Sequence, residues 1–263
     1  MASTFFGLHI GSSALSSFQV ATNTTANNIA NVKTTGYTRQ EATLQAKDAI
    51  NVTARYGSVG TGVTVTSIKQ QRDLYYDNKY WENNSCYGRY EQKLYYMEQI
   101  QNYFKDNGSS VKGFSSVFSQ MFSDLDTLRS KPSDKTVRNQ FISSAQSLCT
   151  YFNQMSDNLS KLQDDCNEEI RNNVDKINSI SEKISLLNKE INQIETGTGV
   201  EAGSLRDERA NLIDSLSKIV NVSYNETEVQ NTYGDNLGGT NFSLYINAVS
   251  YTHLRAHETL SDL

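Results

Sequence analysis

Two histidines, His253 and His257, stand four apart near the end of the 263-residue chain, a spacing at which one helix face can offer two ligands to zinc. The zinc-peptidase motif needs a glutamate directly after the first histidine, where Leu254 stands, and no third histidine is near. A metal site is therefore disfavoured. His9, the remaining histidine, reads as a solvated helix position. Three histidines cannot furnish a nucleophile, a base and an orienting group among them. Gly60-Thr61-Gly62 and Gly197-Thr198-Gly199 begin like a dinucleotide fingerprint, but Val65 and Ala202 occupy the last glycine position and no Lys-Ser/Thr ending follows. Both read as turns. Cys86, Cys149 and Cys166 form no CxxC pair and read as small buried hydrophobes. Asp164-Asp165 and Glu168-Glu169 read as a solvated helix face, not as an acid/base pair. The tyrosines between 75 and 96, at helical spacing, read as core or bundle packing and not as a platform for stacking bases. No catalytic, cofactor-binding or metal-binding residue is expected.

Composition narrows the partners. A net charge of -5, with 24 Lys and Arg scattered along the chain, argues against nucleic acid as the main partner and offers no polybasic membrane patch. No apolar run is long enough to span a bilayer, and the first Lys or Arg is Lys33, so no cleaved secretion signal is expected. A single proline, Pro132, and 37% hydrophobic residues suit long helices.

The first element is set by a heptad. Leu8, Gly11, Leu15, Phe18, Thr22, Thr25, Ile29 and Val32 alternate three and four apart, which lines them along one helix face and favours a supercoil with a partner helix. Ser3 or Thr4 can cap this helix. The stripe is thin, so residues 4–32 are expected to be unfolded in a free monomer and to fold on assembly. Asn27-Asn28-Ile29-Ala30-Asn31 and Thr34-Thr35-Gly36-Tyr37 end the helix and turn the chain, with Gly36 suited to a positive φ. Residues 38–70 alternate in polarity around Gly57, Gly60 and Gly62 and predict short strands in an extended hairpin.

Helical spacing returns at 73. Tyr76, Tyr80, Asn83, Tyr87, Tyr90, Leu94, Met97, Gln101 and Phe104 form one stripe, broken at Asn107-Gly108. A helix over 114–130 ends before Pro132, and Ser133 can cap the next. That helix carries apolar residues from Val137 through Phe152, Leu159, Cys166, Ile170 and Ile184 to Ile191 and Ile194, and unbroken to about 195 it would span roughly 90 Å. A helix over 205–220 follows. Val222 and Tyr224, then Phe242, Leu244 and Ile246, switch to period two. The fold class is mainly α with some β: an N-terminal coiled-coil helix over 1–36, an extended hairpin connector over 37–72, a helical bundle over 73–220 and the start of a β-rich domain over 221–248.

The stretch Gly7-Leu8-His9-Ile10-Gly11-Ser12-Ser13-Ala14-Leu15, with Gln19, Asn27-Asn28-Ile29-Ala30-Asn31 and Thr35-Gly36-Tyr37, resembles the signature shared by bacterial flagellar rod, hook and hook-associated proteins. Tyr37-Thr38-Arg39-Gln40, Gly60-Thr61-Gly62-Val63 with Ile68 and Arg72-Asp73, and Leu205-Arg206-Asp207-Glu208-Arg209 with Leu212-Ile213 and Leu216-Ser217 look like the hook-filament junction members of that family. The resemblance covers about residues 1–247. It implies a structural adaptor with no catalysis or cofactor, exported through the flagellar channel without a cleaved signal and served by an export chaperone. It implies self-association into a ring that touches the hook protein and the second hook-associated protein, an N-terminal helix paired with a C-terminal one, and β-rich domains outside a helical bundle. Residues 249–263 do not look like the family and resemble translated adapter DNA, so the natural chain is expected to continue differently. The expected assembly residues are Leu8, Leu15, Phe18, Thr22, Thr25, Asn27, Asn28, Ile29, Asn31, Val32, Gly36 and Tyr37. Other readings are a hook or rod subunit, a zinc peptidase using His253 and His257, or a cytoplasmic coiled-coil signalling protein.

Overall fold

A computed structural model describes residues 5–51, 57–105, 113–234, 236–246 and 249–250. His253, His257 and the proposed caps Ser3 and Thr4 lie outside them. The elements in order are α1 (Phe6–Ala30), β1 (Gln40–Ala46), β2 (Ile50–Asn51), β3 (Ser58–Val59), β4 (Val63–Gln70), α2 (Leu74–Tyr103), α3 (Phe114–Ser130), α4 (Lys135–Glu195), α5 (Gly203–Ser217), β5 (Val222–Gln230), β6 (Asn236–Ile246) and β7 (Val249–Ser250). The fold is mainly α with some β. Contacts divide the chain into two compact units, Met1–Cys86 with Ile177–Leu263, and Tyr87–Lys176.

In the first unit α1 packs on a hairpin in which β1 and β4 run antiparallel, Gln40 opposite Gln70 and Ala46 opposite Val63. The apolar centre lies elsewhere in the same unit. Trp81 of α2, Ile180 and Ile184 of α4, Ile213 and Leu216 of α5 and Val222, Phe242, Leu244 and Ile246 of the strands form one cluster. The period-two pattern explains the strand contribution, because Val222 pairs with Ile246 and Tyr224 with Leu244, turning one face of the β5–β6 pair inward. Each such fully buried Ile or Leu contributes about 1.5–3 kcal/mol relative to an exposed one. Arg206 stands at the edge of this core, donating Nε to Glu195 Oε1 and Nη2 to Glu195 Oε2, both at 2.7 Å, and Nη1 to Glu226 Oε1 at 3.0 Å.

In the second unit α3 spans 114–130 as the sequence predicts, and Pro132 stops it. Phe114, Phe118 and Phe122 make successive ring contacts, and Phe114 reaches Phe152 of α4. Asp134, not Ser133, caps α4: its Oδ1 accepts the Thr136 N–H at 2.8 Å, because it sits at the position from which a short side chain reaches that amide. Gln92 Nε2 donates to Glu169 Oε1 and Oε2 at 2.6 Å, and the Tyr96 hydroxyl also donates to Glu169. Glu169 therefore turns between α2 and α4, in contrast to the solvated face expected for it. That bond, followed by burial, raises the Tyr96 pKa, so its hydroxyl stays a donor.

Three further expectations are corrected. Tyr76, Tyr80, Tyr87, Tyr90, Leu94 and Met97 are exposed, while Trp81 and Ser85 form the buried face of α2. The reason is competition between two faces of one helix, which the larger and hydrogen-bonded Trp81 wins. Cys86 and Cys149 are exposed and Cys166 is half-buried, since the first two stand beside the packed registers and not on them. On α4, Phe152, Leu159, Ile170 and Ile194 are exposed, whereas Met155, Ile184, Leu187 and Ile191 are buried.

Candidate assembly surface

The α1 helix has two faces with opposite fates. One meets the hairpin through small polar residues, and the only residues it buries are Ser17 and Thr24. Ser17 Oγ lies 2.8 Å from Ser13 O and 3.1 Å from Val63 O. Gly62, at the start of the returning strand, has φ +106, and a Cβ there would lie 2.2 Å from Ser13 Oγ. Glycine lets the hairpin reach the helix this closely. The Gly60-Thr61-Gly62 turn is thus a helix-docking point.

The other face carries the heptad stripe. Leu8 is 70% exposed, Leu15 70%, Phe18 61%, Ile29 69% and Val32 76%. Thr22 and Thr25 lie in the same exposed row and donate their hydroxyls back to Phe18 O and Ala21 O at 2.8 and 2.9 Å. Four large apolar side chains in one open row on α1, with Val32 just past its end, are what a helix shows when its apolar partner comes from outside the described residues.

The other expected site residues form a clasp at the end of α1. Asn28 donates Nδ2 to Gln40 O at 2.8 Å and accepts Gln40 N–H on Oδ1 at 3.0 Å, so one side-chain amide satisfies both backbone groups of a strand residue. The Tyr37 hydroxyl donates to Asn28 Oδ1 at 2.8 Å and accepts from Asn27 Nδ2 at 3.2 Å. Asn31 Nδ2 donates to Asn27 O and Oδ1 at 3.0 and 2.9 Å. Burial, then the negative charge of Asp207, raises the Tyr37 pKa and keeps the phenol a donor. Gly36 has φ +76, and a Cβ there would lie 1.7 Å from Asn211 Oδ1 of α5. Thr38 N–H donates to Asp207 Oδ2 at 3.2 Å.

The structure thus separates the expected site residues. Leu8, Leu15, Phe18, Thr22, Thr25, Ile29 and Val32 face outward, while Asn27, Asn28, Gly36 and Tyr37 tie α1 and its turn to the hairpin and to α5, and Asn31 bonds Asn27 and Thr34 within the turn. Sequence reasoning passed over Asp207 and Asn211 as site residues, although Asp207 lies in the quoted Leu205–Arg209 motif. It also passed over Glu195, which falls four residues after Ile191 on the buried register of α4 and, at 2% exposed, demands a charged partner. Among the described residues no group of three His, Cys, Asp or Glu is placed to hold a metal ion, and no helix is long and apolar enough to cross a membrane.

A family model for the flagellar hook-associated protein FlgK helical domain matches residues 97–247, more than half of the chain. The chain belongs to this family. A second model, for flagella basal body rod protein, matches residues 8–38, which hold all but the first two residues of α1 and the Gly36–Tyr37 turn. Flagellar hook-associated protein 1 of Bacillus subtilis is 34% identical over 234 residues, covering 86% of this chain and 46% of the relative. The protein of the same name from Salmonella typhimurium is 32% identical over 216 residues, covering 80% of this chain and 37% of the relative. The chain therefore spans less than half the length of the curated relatives it matches. A solved structure described as the flagellar hook junction protein FlgK from Burkholderia pseudomallei aligns over 65% of this chain and 27% of its own, with TM-score 0.48 and 24% identity.

Proposed function

We propose that this FlgK-family chain is the N-terminal part of a structural subunit of the bacterial flagellum that joins hook to filament and does no catalysis. The observation that carries the reading is the open row Leu8, Leu15, Phe18 and Ile29, with Val32 just beyond it, on a helix whose opposite face is docked to a hairpin. An apolar row held outward on an anchored helix is suited to building a coiled coil in an assembly. Its partners are further copies in a ring, the hook protein, the second hook-associated protein and an export chaperone, and it leaves the cell through the flagellar export route without a cleaved signal. A hook or rod subunit is the nearest alternative, since the match over 8–38 is to a rod model, but the helical-domain match over 97–247 favours the junction subunit.

The test replaces Leu15 or Ile29 by Asp in the full-length protein, in cells lacking the native copy. The expected outcome is secreted subunit, intact hooks and no filaments. Filaments of normal number and length in both mutants would overturn the reading.

A further inference from the structure

We infer that Asp207 of α5 is a positioning residue for α1, setting the direction in which the exposed stripe faces by gripping the turn that follows the helix. The inference rests on the proposed role of that stripe. Packing of α1 runs through β1 and β4. Its orientation to the core is therefore carried mainly by the hairpin and the turn at 31–39, and these are hydrogen-bonded to α5 and the residue stretch just before it at three points. Thr38 N–H donates to Asp207 Oδ2 at 3.2 Å, Gln70 N–H donates to Glu201 Oε2 at 3.0 Å, and Gln70 Nε2 donates to Gly203 O at 2.9 Å. Asn211 fills the space beside Gly36, where a side chain on residue 36 would displace it. On its far side α5 is packed into the core: Ile213 and Leu216 are 1% and 0% exposed, and Arg206 is tied to Glu195 and Glu226.

Within this bracket Asp207 is the costly member. It is 8% exposed, and its Oδ1 is buried without a hydrogen-bond partner among the described residues. A buried carboxylate that uses one oxygen on one backbone amide gains less than its desolvation costs. An apolar side chain of similar size would serve stability better. What the carboxylate adds is direction: a single charge-assisted bond holds the Thr38 amide, and with it the Tyr37–Asn28–Gln40 clasp at the end of α1.

The test uses the full-length protein in cells lacking the native copy, with Asp207→Leu, which is close in size and has no acceptor, and Asp207→Asn, which keeps an oxygen for Thr38 N–H. Secreted subunit, the thermal midpoint followed by Trp81 fluorescence, and the amount of subunit bound at purified hook tips are measured together. Asp207→Leu is expected to reach the hook tip about tenfold less than wild type at unchanged secretion and with no fall in midpoint, while Asp207→Asn stays within about threefold, the range of a local coupling. Three results would overturn the assignment: wild-type incorporation of Asp207→Leu, equal failure of Asp207→Asn, or a lowered midpoint that accounts for the loss. Leu15→Asp is run alongside. If it too incorporates normally, the stripe reading itself has failed. If it alone fails, the stripe stands and the positioning role of Asp207 does not.

Discussion

Glu195 and Arg206 meet through two parallel hydrogen bonds of 2.7 Å, at the point where α4 ends and the chain turns toward α5. Glu195 Oε1 also accepts the Ala202 N–H at 2.9 Å, and Arg206 Nη2 reaches Thr240 Oγ1 at 3.1 Å. One ion pair thereby joins α4, the loop, α5 and β6. A buried pair of this kind adds little over an apolar replacement, but removing one partner strands the other.

Glu195→Ala is therefore expected to destabilise the first unit by about 3–5 kcal/mol, because Arg206 loses both bonds of its fork. Trp81 is the single tryptophan of the chain and lies in that unit's core, so its fluorescence in a denaturant titration reads the change directly. A shift under about 1 kcal/mol would mean that Glu226 and Glu201, at 3.0 and 3.9 Å, hold Arg206 without Glu195.

The same pair sets an acid limit. Burial would raise the pKa of Glu195, but the bonds from Arg206 and from Ala202 N–H outweigh it and hold the group below its ordinary value. A depressed folded pKa means that the stabilisation is complete above the unfolded value and is lost as pH falls through the folded one. The Trp81 unfolding midpoint should be flat from neutral pH down to the ordinary carboxylate range and then drop. Glu195→Gln should flatten that drop.

Trp81→Phe removes the donor to Asp214 Oδ1, a bond of 2.6 Å, and leaves a smaller ring facing Tyr224. Asp214 already has a raised pKa from burial, which the Trp81 bond opposes. Losing the donor should cost about 2–3 kcal/mol by circular dichroism melting and raise that pKa further.

Leu15→Asp and Ile29→Asp should change the stability of the isolated subunit by less than about 0.5 kcal/mol, because both side chains are exposed. Equal thermal melts beside a complete loss of filaments would separate an assembly role from a folding role. A large drop in melting temperature would show that the stripe is covered within the subunit.

Amide exchange should be fast across residues 6–30 in the free subunit and slow in assembled material. The α1 helix buries Ser17 and Thr24 and no large apolar residue, so its docking supplies little hydrophobic stabilisation. Strong protection in a dilute monomer would contradict this.

Local rules carried much of the architecture. The heptad spacing of Leu8 to Val32 defined α1 and its stripe, Phe114 to Pro132 bounded α3, and the alternation of Val222, Tyr224, Phe242, Leu244 and Ile246 marked the strands that pair in that register. These patterns were legible because they depend on neighbours a few residues apart, through helical or strand periodicity and the backbone limits of proline. Which face of a helix is covered depends on residues far away along the chain, and there the tertiary structure decided. On α2 the Tyr76–Met97 row matched a buried seam as well as any, yet Trp81 turned inward because Asp214 and Tyr224 wait there. Glu195 looked like one more polar residue until the fold brought Arg206 to it, and Asp207 gained its place only when the turn at Thr38 came to rest on α5. Burying a charge or choosing between two apolar faces is settled by the partner that folding delivers, and no periodicity within one segment encodes that partner.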